Sequence, residues 1–141
     1  MTKVIYAPIL LLLSFSAFAC KCPPVKALED QLAQYSNEGN RILVIAQAKK
    51  VETTNDKART QITEFKVIEA LNKQLSPTFT TRVRTRRALC GIEFEEGKQY
   101  LVDAKKISEN NYLTSQCTYS QKADNKKAKA LIEQARRLFH E

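Results

Sequence analysis

The placement of the cysteines constrains the fold of this chain more than any other feature. They stand at Cys20, Cys22, Cys90 and Cys117. An even number of cysteines in an exported protein indicates disulfide bonds, and four of them allow three pairings. A bond between Cys20 and Cys22 would close a very small, strained ring. Each of these two is therefore expected to pair with a distant cysteine, and the spacing leaves both crossed arrangements open.

Residues 1–19 have the pattern of a secretory signal peptide. Lys3 supplies the positive charge, the stretch from Val4 to Phe18 is almost wholly apolar, and Ala17-Phe18-Ala19 gives the small-x-small cleavage pattern. The apolar stretch is shorter than the ~20 residues of a membrane-spanning helix. We therefore predict that residues 20–141 form one secreted, extracellular or periplasmic domain. Its net charge is about +7 once Lys3 is removed, which favours anionic surfaces without naming a partner.

The hydrophobic periodicity of residues 20–141 predicts a mainly β fold with flanking helices. Predicted strands cover residues 42–51, 60–68, 78–85, a stretch beginning at 100, and 112–119, the last of which carries Cys117. An apolar stripe at helical spacing predicts helices over Val25–Tyr35 and Asn125–Phe139. Short strands separated by turn signals, with a helix at each end, are typical of a five-stranded Greek-key barrel of the OB type.

Cleavage before Cys20 would leave a cysteine as the first residue of the mature protein. Its free α-amine and its carbonyl oxygen can then chelate one metal ion together. Catalytic zinc accepts nitrogen and oxygen ligands and keeps one position open for water. The cysteines nearby, together with Pro23 and Pro24, would hold such an edge extended before binding, which lowers the entropic cost of binding.

Several short motifs resemble the inhibitory N-terminal domain of the tissue inhibitors of metalloproteinases, a netrin-like OB fold. That family begins its mature chain with Cys-x-Cys-x-Pro, matched by Cys20, Cys22 and Pro24. The segments Ala88-Leu89-Cys90-Gly91 and Leu113-Thr114-Ser115-Gln116-Cys117 resemble the segments that hold the partner cysteines. Glu96-Gly97-Lys98-Gln99-Tyr100-Leu101-Val102 resembles its Gly-Lys-x-Tyr-Leu stretch. The resemblance spans roughly residues 20 to 120.

The resemblance implies the disulfide pairs Cys20–Cys90 and Cys22–Cys117 and a role as an inhibitor of a zinc metalloendopeptidase. Cys20 would then bind the target's zinc. The residues expected to contact the target are Lys21, Cys22, Pro23, Pro24, Ala88 and Leu89. No counterpart of the family's third disulfide or of its C-terminal domain is expected from these residues. The chain also has Lys21 where the family has Thr or Ser, so a target with an acidic S1′ pocket is expected.

Two other functions fit the same residues. A cysteine directly after a leader is also the site of lipoprotein acylation, although Ala17 and Phe18 depart from the preferred lipobox; acylation of Cys20 would anchor the protein to a membrane and exclude its zinc ligation. The second alternative is a secreted netrin-like module that inhibits nothing and binds a protein or an anionic glycan. A basic strip is the expected glycan site, formed by Arg82, Arg84, Arg86 and Arg87. The absence of interleaved aromatic residues disfavours nucleic acid.

No catalytic pattern stands out in the sequence. The single histidine, His140, lies next to the C-terminus, and no Ser/His/Asp set, H-E-x-x-H motif or glycine-rich phosphate loop is present. The Cys20-Lys21-Cys22 spacing also differs from the C-x-x-C of thiol oxidoreductases. We therefore predict a protein that is not an enzyme and that holds no metal or cofactor of its own.

Overall fold

A computed structural model describes residues 22–57, 59–84 and 92–140, with Arg84 described by its backbone. The strands are β1 (Arg41–Thr53), β2 (Thr60–Ala70), β3 (Thr78–Arg84), β4 (Gln99–Ser108), β5 (Asn111–Leu113) and β6 (Gln121–Lys122). A 3-10 helix at Leu28–Gln31 runs into α1 (Leu32–Tyr35), and α2 covers Lys126–Phe139. Within the described residues, no helix has the length and apolarity needed to cross a bilayer.

Five strands close into a barrel in the order β1-β2-β3-β5-β4. β1 pairs antiparallel with both β2 and β4, which closes the ring, and β2–β3 and β4–β5 are also antiparallel. β3 and β5 are parallel, and β6 adds a two-residue pairing beside β4. This strand order confirms the predicted five-stranded barrel of the OB type.

β1 is buried on both of its faces. Ile42 to Ala46 are all buried, as the continuous apolar run predicts. Val44 and Ala46 belong to the cluster inside the barrel, whereas Leu43 and Ile45 pack outside it against α2. Two register shifts in its pairing with β2 interrupt the strand. Such irregularities bend a strand, which lets β1 curve round the barrel to reach β4.

Aromatic rings fill the interior of the barrel around Phe65. The ring of Phe65 stacks on Phe79 with centroids 5.2 Å apart and meets the edge of Phe94 at 4.9 Å. Tyr100 contacts Phe94 at 4.8 Å. These rings come from three strands and from the segment before β4, so their packing joins most of the barrel wall.

α2 covers the outer face of the barrel, as its apolar stripe predicts. Asn125 caps the helix because its side chain accepts a hydrogen bond from the backbone N–H of Lys127. Ala128, Ile132 and Ala135 are buried in the outer cluster. The predicted range of 125–139 therefore matches the helix together with its cap.

Two predicted elements are wrong in extent. The fifth strand ends at Leu113 rather than reaching Tyr119, so Cys117 lies in a turn after the strand. Hydroxyl groups in this turn bond to the local backbone, for example Thr118 Oγ1 to the carbonyl of Ser115 at 2.7 Å, and such bonds compete with a strand ladder. The first helix begins at Leu28 rather than Val25 and opens as a 3-10 turn.

Candidate functional site

A disulfide joins the start of the described chain to the turn after β5. Cys22 and Cys117 are bonded although 95 residues separate them, with their Cα atoms 5.2 Å apart. This confirms one of the two expected pairs. The other pair, Cys20–Cys90, lies outside the described residues.

The segment that follows Cys22 is exposed and irregular. Pro23, Pro24 and the next three residues are all exposed and belong to no helix or strand. The helix predicted from Val25 is therefore not formed at these residues. The two prolines instead fix two backbone φ angles in an otherwise unpaired stretch. The result is an exposed edge with two fixed φ angles, joined at its start to the Cys117 turn by the disulfide.

A second attachment holds this edge at Lys26. The carbonyl oxygen of Lys26 accepts hydrogen bonds from the hydroxyl of Tyr119 and from Nε2 of Gln31, the latter at 2.8 Å. Tyr119 lies two residues after Cys117, so the same turn holds the edge by a covalent bond and by a hydrogen bond. Burial raises the pKa of the Tyr119 hydroxyl, with the charge of Asp103 adding to the effect, so this donor keeps its proton at neutral pH.

Asp103 anchors that turn to the barrel. Its side chain is completely buried and forms an ion pair with Arg41, with Nη2 and Oδ2 2.5 Å apart. Oδ2 also accepts a hydrogen bond from the backbone amide of Tyr119 at 2.9 Å. The backbone of Asp103 bonds to the hydroxyls of Thr114 and Ser120. One residue of β4 therefore fixes both ends of the turn that carries Cys117.

Arg41 extends this network to the helical segment. Its Nη1 donates to the side-chain oxygens of Gln31 at 2.5 Å and Gln34 at 2.8 Å. Its guanidinium lies 4.7 Å from the ring centroid of Tyr35, a favourable cation–π contact. Burial, with Asp103 as the second cause, raises the pKa of Tyr35 far above its ordinary value. Tyr35 is therefore a neutral part of the core.

No sequence motif singled out Asp103, Arg41 or Tyr119. A signal was present, because Asp103 interrupts the apolar stretch Tyr100-Leu101-Val102 and a carboxylate inside such a run is normally paired when buried. Its partner was not predictable, because 62 residues separate Arg41 from Asp103.

The predicted contact residues fall partly within the described chain. Cys22 is half-buried at the disulfide, and Pro23 and Pro24 are exposed beside it. The predicted residues outside the described chain are Cys20, Lys21, Arg86, Arg87, Ala88, Leu89 and Cys90. Of the predicted arginine strip, Arg82 is exposed on β3 and Arg84 is described by its backbone. The arginine strip therefore remains a prediction.

The end of β3 lies beside the turn that holds the disulfide. β3 and β5 run in the same direction, with Arg82 opposite Leu113. The backbone amide of Thr114 donates to the carbonyl of Arg82 at 3.3 Å. The chain therefore leaves β3 at Arg84 toward the barrel end where β5 leads into the Cys117 turn.

The described residues carry no cluster of three or more histidine, cysteine or acidic side chains able to hold a metal ion. The site is an exposed stretch of backbone with hydrogen-bonding groups and two prolines, held in place by the disulfide and by the hydrogen bonds at Lys26.

No protein-family profile matches the sequence, and the search of curated proteins finds no significantly similar chain.

Proposed function

We propose that this protein is a secreted inhibitor of a zinc metalloendopeptidase, with the α-amine and carbonyl oxygen of Cys20 capping the target's catalytic zinc. The observation that carries the proposal is the Cys22–Cys117 disulfide, which fixes an exposed edge to a rigid barrel. An inhibitor of this kind needs its chelating residue held at the tip of such an edge.

Preorganisation supports this function. The edge is restrained by the disulfide at Cys22, by the fixed φ angles of Pro23 and Pro24, and by the hydrogen bonds at Lys26. Each restraint removes conformational freedom before the target is met. Binding then loses less entropy, which raises affinity without any added contact.

Chain length supports the second disulfide that the proposal requires. A residue spans at most about 3.6 Å, so Cys20 stands within roughly 7 Å of Cys22. Cys90 follows Arg84, the last residue of β3, by six positions, which is a reach of roughly 20 Å. β3 ends toward the turn that holds Cys117, so chain length permits the Cys20–Cys90 bond that the proposal requires.

The chemistry at the target's zinc follows from the ligands on Cys20. A catalytic zinc in a protease is held by three protein ligands and a water molecule. The amine and carbonyl of Cys20 would displace that water, and the amine must first lose its proton. Since a free α-amine has a pKa of about 7.7–8.0, inhibition should strengthen from pH 6 to pH 8 where the target itself is unaffected.

Extension of the N-terminus tests the proposal directly. The exported protein, confirmed by mass to begin at unmodified Cys20, is assayed against a panel of zinc endopeptidases. One alanine added before Cys20 should weaken inhibition at least about 100-fold, because it converts the amine to an amide. The matched control adds one alanine after Glu141 and should leave the inhibition constant unchanged. Full potency of the N-terminally extended protein, or no inhibition of any panel member by the unextended one, would contradict the proposal.

The same mass measurement separates this function from lipoprotein anchoring. A diacylglyceryl group on Cys20 would use its thiol and direct the protein to a membrane. The proposed inhibitor requires a mass lower by four hydrogens than that of the reduced chain from residue 20, with both disulfides formed. An acylated Cys20 would end the inhibitor proposal and leave the barrel unaffected.

A further inference from the structure

Lysines converge on a cleft where the start of β4, β6 and the first turns of α2 meet. The cleft has a volume of about 440 Å³ and is lined by Lys98, Gln99, Lys122, Ala123, Asp124 and Lys129. The backbone amide of Ala123 donates to the carbonyl of Gln99 at 3.0 Å, which holds its two walls together. Gln99 lies six residues along β4 from Lys105, which pairs with Leu113. Six strand residues span about 20 Å, so Gln99 lies about that distance from Lys105.

The lining of this cleft carries three lysines, Lys98, Lys122 and Lys129, and one acidic residue, Asp124. Lys122 forms a loose ion pair with Glu95 at 3.6 Å, with both side chains more than half exposed. Within the described residues, Lys98 and Lys129 take part in no ion pair. Like charges brought together on a surface repel one another and lower the stability of the fold. Their convergence is therefore better explained by an anionic ligand than by a contribution to folding.

The beginning of α2 shows the same conflict between charge and stability. Lys126 and Lys127 are its first two residues, and its first turn contains no acidic residue. The N-terminus of a helix carries a partial positive charge, so cations there are unfavourable and acids are the usual choice. Positions that break a local stability rule are expected at functional surfaces.

The remaining side chains in the cleft indicate the class of ligand. Its lining contains no aromatic ring, so it offers no stacking platform of the kind that single-stranded nucleic acids use. Gln99 can donate and accept hydrogen bonds, and the carboxylate of Asp124 can accept them from hydroxyl groups. Lysine ammonium groups bind anions as point charges without demanding one planar geometry. Cations combined with hydroxyl-binding groups suit a sugar polymer that carries acidic groups.

We propose that this cleft binds an acidic polysaccharide. Lys98, Lys122 and Lys129 contact its sulfate or carboxylate groups, and Gln99 and Asp124 contact its hydroxyls. The site differs from the arginine strip predicted from the sequence and does not depend on the proposed inhibition of a protease.

Calorimetric titration of the full exported chain with a heparin dodecasaccharide tests this proposal. The variant K98Q/K122Q/K129Q should bind at least roughly 30-fold more weakly, because a tenfold gain for every two lysines at an anionic surface gives about that factor for three lysines. The matched control K66Q/K105Q/K106Q removes the same charge from exposed positions elsewhere and should weaken binding less than about threefold. A third variant, R82Q/R84Q/R86Q, tests the arginine strip at the same change in net charge.

Three results would overturn the proposal. The first is an equal loss of affinity in the cleft variant and the K66Q/K105Q/K106Q control, and the second is a larger loss in the arginine variant. The third is tighter binding of a single-stranded oligonucleotide than of heparin at the same salt concentration. Backbone amide shifts in the unsubstituted protein provide a readout that no substitution can disturb. On titration with heparin, the largest shifts should fall within residues 97–99 and 122–129, and shifts confined to other residues would also reject the cleft.

Discussion

Tyr119 links the buried carboxylate of Asp103 to the exposed edge at Lys26. Its backbone amide donates to Oδ2 of Asp103 at 2.9 Å, and its hydroxyl donates to the carbonyl oxygen of Lys26. Asp103 is in turn paired with Arg41, whose guanidinium reaches the helical segment through Gln31. The position of the edge therefore depends on a charge inside the fold.

Replacing Asp103 by asparagine should lower the free energy of unfolding by about 3 kcal/mol, because Arg41 is left without its counter-charge in a mostly buried place. Denaturation in urea measures the change. The control is E133Q, which removes the exposed partner of Arg136 and should change stability by less than about 0.5 kcal/mol. Similar effects of the two substitutions would show that the Arg41–Asp103 pair contributes little.

Removing the described disulfide should also destabilise the barrel. In C22A/C117A the unfolded chain is no longer closed into a loop of 95 residues. Chain entropy then predicts a loss of about 4–5 kcal/mol in the free energy of unfolding. Urea denaturation without reductant measures it. An unchanged midpoint would mean that strain in the native bond offsets its entropic effect.

The aromatic centre of the barrel should be sensitive to truncation. Phe65 is fully buried against Phe79 and Phe94, so F65A should cost about 3–5 kcal/mol of stability by leaving a cavity. The control lies on the same strand: Ile68 is half exposed, and I68A should cost less than about 1 kcal/mol. Thermal unfolding compares the two, and equal losses would contradict the assigned register of β2.

The contact between Glu69 and Arg136 should make the free energy of unfolding depend on pH. Arg136 donates to both carboxylate oxygens of Glu69, at 3.0 and 2.7 Å, and holds the pKa of that carboxyl below its ordinary value near 4.5. A carboxyl with a lowered pKa stabilises the fold above its unfolded pKa and loses that effect as the pH falls through its folded pKa.

E69Q should therefore be less stable than the unsubstituted protein at pH 7 and nearly equal to it at pH 3. Denaturant midpoints at pH 7 and pH 3 measure the difference in stability between E69Q and the unsubstituted protein. E133Q serves as the control. Glu133 contacts Arg136 from within the same helix, whereas Glu69 contacts it from β2. A gap that stays constant between pH 7 and pH 3 would show that Glu69 is not held by Arg136.

Lys21 should set the choice of target if the proposed inhibitor is correct. K21T introduces a small hydroxyl residue, as in the family that the sequence resembles, so it should shift potency from proteases with acidic S1′ pockets toward those with apolar ones. The basis is the cost of burying an unpaired ammonium group. Inhibition constants across a protease panel measure the shift. An unchanged order of potency would place Lys21 outside the pocket.

The barrel was predictable from sequence because its strands follow local rules. Ile42 to Ala46 form an apolar run, and turn residues such as Asn110 mark the ends of strands. Asn110 has a φ of 57° in the structure, in keeping with the tolerance of asparagine for that region. The end of β5 was predicted wrongly, because hydroxyl residues such as Thr118 bond to the nearby backbone, and side-chain bonds of this kind leave no periodic signal.

In the candidate site, the disulfide was predictable from the sequence, whereas the noncovalent contacts around it were not. The pairing of Cys22 with Cys117 followed from short motifs, whereas the Arg41–Asp103 pair and the bond from Tyr119 to Lys26 join residues far apart in sequence. The lysine cleft was missed for the same reason. Lys98 is remote from Lys122 and Lys129 along the chain, and the pairing of β4 with β6 brings them together.

The closed ring of five strands bears on how this protein behaves at high concentration. Each barrel strand has a neighbour on both sides, so over the paired stretches its backbone groups are already used. Exposed strand edges are the usual starting points for intermolecular sheet growth. A second copy could add a strand over those paired stretches only after the ring had opened. Along the closed part of the sheet, the topology therefore guards the folded chain against aggregation.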